Sequence, residues 1–139
     1  KAGVPHAILH FDVVSDLSES PDVAPEQVFK TLIVALPDEL AVAIVPVPSR
    51  LSLKAVAAAL GVAKAAMAEP GAAERSTGYV VGGISPFGQR KRLRTVLDSS
   101  ALRWDRLLCS AGKRHWDVAV APRDLIRLTG AITADISRT

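Results

Sequence analysis

The amino-acid sequence predicts an α+β fold within the broad α/β class: a single domain in which a few helices pack on a mixed, mostly antiparallel β-sheet. Apolar, β-prone runs outnumber helical patterns, and the helical patterns fall between hairpins instead of alternating strictly with strands. The 139 residues, 49% of them hydrophobic, are enough to bury one core. Neither GxGxxG nor GxxxxGK(S/T) occurs, so a doubly wound nucleotide-binding fold is not predicted.

The first part of the chain is dominated by strand patterns. Alternation predicts a strand over Ile8–Val14, and the polar, proline-containing stretch 15–27 predicts a loop or a weak helical turn. Two β-prone apolar runs follow, Val28–Leu36 and Leu40–Val47. Because only the turn Pro37–Glu39 separates them, they predict an antiparallel hairpin.

Helical patterns follow this hairpin. Apolar residues recur at helical spacing over Leu53–Leu60, with Ser52 as a suitable N-cap and Gly61 as a suitable end. An alanine-rich second helical segment is predicted over Ala63–Ala68, ahead of the helix-breaking pair Pro70–Gly71.

The remainder of the chain predicts short strands and one more helix. Strands are predicted over Tyr79–Val81 and Leu93–Leu97, and a hairpin is predicted to join Leu107–Cys109 to Trp116–Val120. The Pro122–Gly130 segment predicts a final helix, because proline suits the first helical turn and glycine suits the end.

Charge is unevenly distributed along the chain. The net charge of +3 divides into −3 over residues 1–70 and +6 over residues 71–139. Basic clusters attract phosphate groups, although solvated surface loops are the alternative interpretation. Charge alone therefore permits a nucleic-acid partner without establishing one. The basic clusters are Arg90, Lys91 and Arg92, with Arg94 nearby, and Lys113 with Arg114.

Cysteine and histidine are scarce. The one cysteine, Cys109, cannot form an internal disulfide, and with three histidines it does not predict a four-ligand zinc site. We therefore expect no metal and no cofactor. No apolar run approaches the ~20 residues that span a bilayer, and no signal-like segment is recognised. We expect a cytoplasmic protein without a membrane partner.

Two features are unusual for a purely structural role. Lys30 lies inside an apolar strand, where lysine is unfavourable unless its ammonium reaches solvent or a partner. It either points outward or faces a pocket, where it could hold phosphate or offset developing negative charge. The loop Gly82–Pro86 permits close approach of a ligand to the main chain, and its N–H groups could form an oxyanion hole, although a Gly-Gly turn is more often only a turn.

A third segment, Ser110–Asp117, combines a small-residue turn with basic residues and a carboxylate. Ser110 is a candidate nucleophile, but the three histidines stand in no recognisable triad motif. Cys109 is better interpreted as a buried small hydrophobe. We interpret Trp104 and Trp116 as packing residues rather than base-stacking platforms.

Taken together, three segments resemble one known family. They are Val28–Leu32 (VFKTL), Arg75–Gln89 (RSTGYVVGGISPFGQ) and Ser110–Arg114 (SAGKR) with Asp117, in this order. The pattern resembles the YbaK/EbsC family of aminoacyl-tRNA editing proteins, which is related to the editing domain of bacterial prolyl-tRNA synthetases. The middle segment, continued through RKRL, resembles the YbaK branch of the family.

The resemblance implies a fold and an activity. The fold is a partly rolled, mixed sheet with surrounding helices. The activity is hydrolysis of the ester that joins a wrong amino acid to tRNA, which in the YbaK branch is cysteine on tRNA(Pro). Since the thiol of the substrate can attack its own ester carbonyl, no side-chain nucleophile is required. The implied partners are the aminoacylated 3′ end of tRNA and prolyl-tRNA synthetase.

The resemblance also implies roles for individual residues. Lys30 matches the strand lysine that holds the acylated 3′ end, and Gly82 heads a GxxxP loop whose backbone borders the scissile carbonyl. The further substrate-binding positions are Thr31, Gly83, Ile84, Ser85, Pro86, Ser110 and Asp117. Arg90, Lys91, Arg92, Lys113 and Arg114 are expected to face the tRNA backbone.

Two alternative functions remain open, and the sequence differs from the usual family pattern at several positions. The alternatives are deacylation of another misacylated tRNA, such as Ala-tRNA(Pro), and a non-catalytic module that binds tRNA or synthetase. The helix that usually precedes the segment matching Ala2–Pro5 is not in the sequence, and a loop near 14–17 is roughly ten residues shorter than the resemblance leads us to expect. His115–Trp116 replaces the Gly-Leu pair common before Asp117, and Arg94 stands where proline is frequent. These differences bear on amino-acid specificity more than on fold.

Overall fold

The computed structural model describes residues 7–10, 24–69, 93–110 and 116–139. These residues contain ten short strands and two helices. For residues 7–10, 110 and 116–118 the description covers the backbone alone. The helices are α1 (Leu53–Leu60) and α2 (Pro122–Thr129), and 3-10 turns lie at Pro25–Gln27 and Ser99–Arg103. The strands are β1 (Ala7–His10), β2 (Phe29–Ala35), β3 (Leu40–Pro46), β4 (Arg50–Leu51), β5 (Ala66–Met67), β6 (Arg94–Asp98), β7 (Leu107–Ser110), β8 (Trp116–Val120), β9 (Ile132–Ala134) and β10 (Ser137–Arg138).

The strands form two main sheets and a small ribbon. The larger sheet has the strand order β5-β2-β3-β6-β9, the smaller sheet has the order β1-β8-β7, and β4 pairs with β10. The β3–β6 and β6–β9 pairs are parallel, whereas the other pairs in the described residues are antiparallel. The predicted fold class, a mixed and mostly antiparallel sheet with helices, is confirmed.

The two predicted hairpins are both present. In the β2–β3 hairpin Lys30 lies opposite Val45, and the Leu36 N–H donates to the Glu39 carbonyl at 2.7 Å across the turn. Strands β7 and β8 pair antiparallel, as predicted for the second hairpin. Apolar, β-branched residues favour extended backbone on a half-buried surface, which explains why both hairpins were recognisable.

Both helices begin and end where the sequence indicates. The Ser52 Oγ accepts a hydrogen bond from the Ala55 N–H at 3.1 Å at the start of α1, and Gly61 ends the helix in the left-handed region at φ 71°. Pro122 begins α2, and Gly130 ends it at φ 70°. Serine satisfies a helix N–H that has no partner within the helix, and glycine adopts positive φ without a steric penalty.

The prediction of a helix over Ala63–Ala68 is wrong. This segment contains β5, which pairs with Val34 and Ala35 at the edge of β2, and the Ala68 N–H donates to the Ile33 carbonyl at 3.0 Å. An isolated helix of this length is unstable in water, whereas the edge of β2 supplies ready hydrogen-bond partners. Pairing with β2 therefore outweighs the helix propensity of alanine.

Two hydrophobic cores lie on opposite faces of the larger sheet, because alternate residues of its strands point to opposite faces. We call them the α2 core and the α1 core after the helices that cover them. The α2 core contains Phe29, Ile33, Val42, Ile44, Leu97, Ala101, Leu107, Cys109, Val120, Leu125 and Ala131. The α1 core contains Val34, Leu36, Ala41, Ala43, Val45, Val56, Leu60, Val96 and Ile136. Since the α2 core takes residues from β7 and β8 as well, it joins the two sheets.

A buried carboxylate, Asp98, ties the segment 136–137 to the end of β6. Its Oδ1 accepts hydrogen bonds from the backbone N–H groups of Ile136 at 2.9 Å and Ser137 at 3.0 Å. Its Oδ2 accepts from the Ser137 hydroxyl at 3.0 Å and from both the N–H and the hydroxyl of Ser100. Burial by itself raises the pKa of Asp98, but the hydrogen bonds from Ser100, Ile136 and Ser137 outweigh burial and lower the pKa below its ordinary value.

Two predictions about local structure concern residues that the structure does not describe. The predicted strand at Tyr79–Val81 and the loop near 14–17 lie outside the described residues. Within the described residues, neither helix has the length and apolar character needed to cross a membrane.

Candidate functional site

Lys30 is the cation that the sequence places inside an apolar strand. It lies on the face of β2 that the α1 core covers, opposite Val45 and two residues from Leu32, which packs against that core. Its side chain is half-buried, and no ion pair among the described residues involves it. A half-buried ammonium without a carboxylate partner is available to bind an anionic or carbonyl group.

The start of β2 is joined to β7 by five residues, which we call the β2–β7 junction. Val28 forms a parallel bridge with Leu108, and the Gln27 Nε2 donates to the Arg106 carbonyl at 2.8 Å. Val28 and Leu108 also form a small buried cluster with Ala119. At this junction the backbones of the larger and smaller sheets meet.

The junction brings three of the predicted site positions to one corner. Lys30 on β2 and Ser110 on β7 each follow a residue of the Val28–Leu108 bridge by two positions. Because the bridge is parallel, Lys30 and Ser110 leave it in the same chain direction. Ser110 lies opposite Asp117 in the β7–β8 pair, and directly opposed residues share a face of a sheet. Residues distant in sequence thus occupy neighbouring positions of the fold.

Within residues 7–10, 24–69, 93–110 and 116–139, one edge of β2 is unpaired between β7 and β5. The Val28–Leu108 bridge is isolated, so the ladder between β2 and β7 does not continue past it. At the other end of β2, β5 pairs only with Val34 and Ala35. Among the residues that the structure describes, no strand therefore pairs with this edge of β2 at Thr31.

The main chain of Thr31 faces this opening. The Val28 carbonyl accepts from the Val47 N–H at 2.7 Å on the β3 side, whereas the Ile33 carbonyl accepts from the Ala68 N–H at 3.0 Å on the opposite side. Since the direction of hydrogen bonding alternates along a strand paired in this way, the N–H and C=O of Thr31 point away from β3.

The side chain of Thr31 lies on the other face of the sheet from Lys30. Thr31 is opposite Ile44, is 8% exposed, and belongs to the face that the α2 core covers. Its Oγ1 is buried and has no hydrogen-bond partner in the part of the chain that the structure describes. The corner is therefore bordered by the side chain of Lys30 and by the main chain of Thr31, while the threonine hydroxyl faces the core.

Arg94 makes contacts that hold elements of the fold together. Its Nη2 donates to the Leu60 carbonyl at 2.8 Å, and its Nη1 lies 3.4 Å from the Glu39 Oε2. A cation at the C-terminal end of a helix is favourable because the last carbonyls carry partial negative charge. Arg94 therefore links β6 to the end of α1 instead of standing free beside the basic cluster.

The remaining predictions about the site have different outcomes. Cys109 is fully buried in the α2 core, as predicted, and Trp104 packs against the same core. The contact made by Gln27 is missed by sequence reasoning, since a glutamine in a polar, proline-containing stretch carries no signal of it. The predicted site residues outside the described part of the chain are Gly82, Gly83, Ile84, Ser85, Pro86, Arg90, Lys91, Arg92, Lys113 and Arg114.

Comparison with known proteins identifies the family. The family model of the aminoacyl-tRNA editing domain matches residues 10–128. This chain belongs to the aminoacyl-tRNA editing domain family. The match runs from the last residue of β1 to the last turn of α2 and includes Lys30, the β2–β7 junction and both strands of the Ser110–Asp117 pair. The family resemblance predicted from the sequence is confirmed.

One curated relative of this editing domain comes from Enterococcus faecalis (strain ATCC 700802 / V583). It is 34% identical over 122 residues, which cover 87% of this chain and 74% of the relative. That protein, EbsC, is described as a candidate Cys-tRNA(Pro)/Cys-tRNA(Cys) deacylase. This relationship and the family model support aminoacyl-tRNA deacylase activity for the editing domain.

Solved structures confirm the fold of the editing domain. A candidate trans-editing enzyme for prolyl-tRNA synthetase superposes with a TM-score of 0.87 at 21% identity, covering 96% of this chain and 87% of that one. The hypothetical protein APE2540 superposes with a TM-score of 0.88 at 24% identity, covering 98% and 93% of the two chains.

Proposed function

We propose that this editing domain acts in trans as a hydrolase that cleaves the ester of Cys-tRNA(Pro). The observation that carries the proposal is a half-buried lysine without an ion-pair partner among the described residues, Lys30, at the open edge of β2. The curated relative described as a candidate deacylase of cysteinyl-tRNA supports cysteine as the amino acid.

Lys30 supplies a fixed positive charge beside the substrate. The acylated end of a tRNA carries phosphate groups, and the ester carbonyl develops negative charge on oxygen when it is attacked. A cation in a partly desolvated corner stabilises either group more strongly than a cation in water does. Because no carboxylate of the described residues neutralises Lys30, this charge is available to the substrate.

The thiol of the cysteinyl group is the nucleophile in this mechanism. The thiol gives up its proton, its sulfur bonds to the ester carbonyl carbon, and the bond from that carbon to the ribose oxygen breaks. The ribose oxygen takes up the proton, and the amino acid leaves as a cyclic thioester that water opens to cysteine. The release step resembles a lyase reaction, and the protein supplies orientation and charge rather than a covalent bond.

The other predicted residues surround this reaction in our proposal. The Thr31 main chain contributes to substrate binding, because its N–H and C=O face the opening, and Ser110 and Asp117 close the corner from β7 and β8. The loop Gly82–Pro86 provides N–H groups to the scissile carbonyl. Arg90, Lys91, Arg92, Lys113 and Arg114 contact the tRNA backbone. The partners are aminoacylated tRNA and prolyl-tRNA synthetase, and the location is the cytoplasm.

A deacylation assay with a panel of charged tRNAs tests the proposal. Purified protein is incubated with Cys-tRNA(Pro), Ala-tRNA(Pro) and Pro-tRNA(Pro), and with tRNA(Pro) that carries S-methylcysteine. We expect selective loss of cysteine and resistance of the S-methyl substrate, because methylation removes the attacking thiol. Faster loss of alanine favours the alternative deacylase, and binding without hydrolysis of any substrate favours a non-catalytic module.

Variants of single residues identify the groups responsible. Lys30→Ala should lower the single-turnover rate on Cys-tRNA(Pro) by about 100-fold or more with folding retained, since it removes the only charge argued to act on the reacting group. Lys54→Ala, at an exposed lysine of α1, is the matched control and should leave the rate unchanged. Cys109→Ala should also retain activity, because the thiol is fully buried; a folded but inactive Cys109→Ala protein would overturn the substrate-thiol mechanism.

A further inference from the structure

We propose that Gln27 is a positioning residue of the editing site. Its side chain holds the start of β2 against the start of β7 and thereby sets the spacing between Lys30 and the Ser110–Asp117 pair. The inference rests on the proposed function and concerns how the chain fixes the geometry of that site.

Gln27 is held at both its main chain and its side chain. Its N–H donates to the Ala24 carbonyl at 2.9 Å, and the following Val28 N–H donates to the Pro25 carbonyl at 3.2 Å, which closes the 3-10 turn. Its Nε2 donates to the Arg106 carbonyl at 2.8 Å. The glutamine thus connects a hydrogen-bonded turn at the start of β2 to the residue just ahead of β7.

The position of this contact allows it to control the spacing of β2 and β7 at the site. The Val28–Leu108 bridge is isolated, so the spacing of the two strands beyond it is not fixed by a continuing ladder. Apolar packing at the junction is not directional, whereas a hydrogen bond prefers a short range of distances and angles. The Gln27–Arg106 contact therefore adds a directional side-chain contact to the backbone bridge, just before the point where the strands separate.

The same contact is exposed, which limits its effect on folding. A hydrogen bond at the surface exchanges with water at little net cost, so its loss should leave the fold intact. Catalysis is more sensitive, because a displacement of about 1 Å can cost about 100-fold in rate. A positioning role thus predicts a loss of rate that exceeds the loss of stability.

Two substitutions separate the hydrogen bond from the shape of the side chain. Gln27→Glu keeps the shape but has no donor and directs a carboxylate at the Arg106 carbonyl. Gln27→Lys keeps a donor of similar reach. The control is Thr129→Val in α2, which removes a hydroxyl that donates to the Leu125 carbonyl at 2.8 Å and accepts from the Ala131 N–H at 3.2 Å, outside the junction.

Steady-state deacylation of Cys-tRNA(Pro), which gives kcat and KM, and hydrogen exchange of the Val28 and Leu108 amides are measured for each variant. We expect Gln27→Glu to lower kcat about 10-fold or more with KM changed less than about twofold, and to speed exchange at Leu108. Gln27→Lys should recover most of kcat, and Thr129→Val should retain kcat despite an equal or larger drop in the urea midpoint.

Three results would overturn the assignment. They are a kcat of Gln27→Glu that falls no further than that of Thr129→Val, a Gln27→Lys protein as slow as Gln27→Glu, and unchanged exchange at Leu108 in Gln27→Glu. A wild-type protein that hydrolyses no charged tRNA instead overturns the proposed function. Hydrogen exchange then still decides whether Gln27 fixes the junction.

Discussion

Replacing Asp98 by asparagine removes an acceptor that the fold cannot replace. The carboxylate accepts two hydrogen bonds on Oδ1 and three on Oδ2, from Ser100, Ile136 and Ser137. In Asp98→Asn, an NH2 group at the Oδ1 position loses both bonds and faces two N–H donors. At the Oδ2 position it loses the bond from the Ser100 N–H, whereas the hydroxyls of Ser100 and Ser137 can reverse and accept from it. The bonds that remain are then made to an uncharged group. Because Asp98 is 1% exposed, water cannot compensate for these losses.

The expected loss of stability follows from the number and type of these bonds. A hydrogen bond to a charged group contributes about 1.5–3 kcal/mol, and such contributions do not add fully within one network. We therefore expect Asp98→Asn to lower the free energy of unfolding by about 2–4 kcal/mol at pH 7, from one lost bond and the lost charge on the others. With a urea dependence of about 2 kcal/mol per molar, the unfolding midpoint falls by about 1–2 M.

Urea unfolding followed by circular dichroism measures this difference, with Asp135→Asn as the matched control. Asp135 directly precedes the segment 136–137, is 80% exposed, and makes an ion pair with Arg138 at 3.2 Å, so its replacement should cost less than about 1 kcal/mol. An Asp98→Asn midpoint as high as that of Asp135→Asn would show that the carboxylate does not anchor the segment.

The dependence on pH provides a second check. The pKa of Asp98 is lowered in the folded protein, so its contribution is present above the pKa of an unfolded aspartate, about 3.9, and is lost as the pH falls through the folded value. The difference in stability between wild type and Asp98→Asn should therefore shrink below about pH 4. A difference that grows as the pH falls would refute the reasoning.

Two further substitutions test local features. Thr31→Val should raise the free energy of unfolding by about 1 kcal/mol in the same urea assay, because it replaces a buried hydroxyl that has no hydrogen-bond partner with a methyl group; an unchanged or lower midpoint would contradict this. Gly61→Ala should cost about 1–2 kcal/mol, since Gly61 has a φ of 71° while an added Cβ would meet no atom within 4 Å. Gly61→Asn should cost less, because asparagine tolerates the left-handed region better than alanine.

The sequence is informative where local physics decides the structure. The β2–β3 hairpin follows from two apolar runs around Pro37–Glu39, and α1 follows from an apolar face bounded by Ser52 and Gly61. The unusual position of Lys30 also follows, because a lysine in an apolar strand is recognisable without a structure. These features depend on residues close together in the chain.

Features that depend on distant pairing could not be predicted. The Ala63–Ala68 segment has a helical composition, but Ala66 and Met67 form β5 because they pair with the edge of β2. Strands β4 and β10 have two residues each and are too short to leave a pattern. Lys30 and Ser110 each lie two residues beyond the Val28–Leu108 bridge, and this bridge has no signature in either strand.

The buried carboxylate at the end of β6 also has a consequence for synthesis of the chain on the ribosome. Asp98 precedes Ile136 by 38 residues and Ser137 by 39, so a growing chain that has just completed the turn Ser99–Arg103 does not yet possess three of the five donors that Asp98 requires. Until those residues emerge, burying Asp98 leaves a charge only partly satisfied, which is unfavourable. Closure of the α1 core, which includes Ile136, is thereby delayed, and a chain interrupted before that point remains open to proteases.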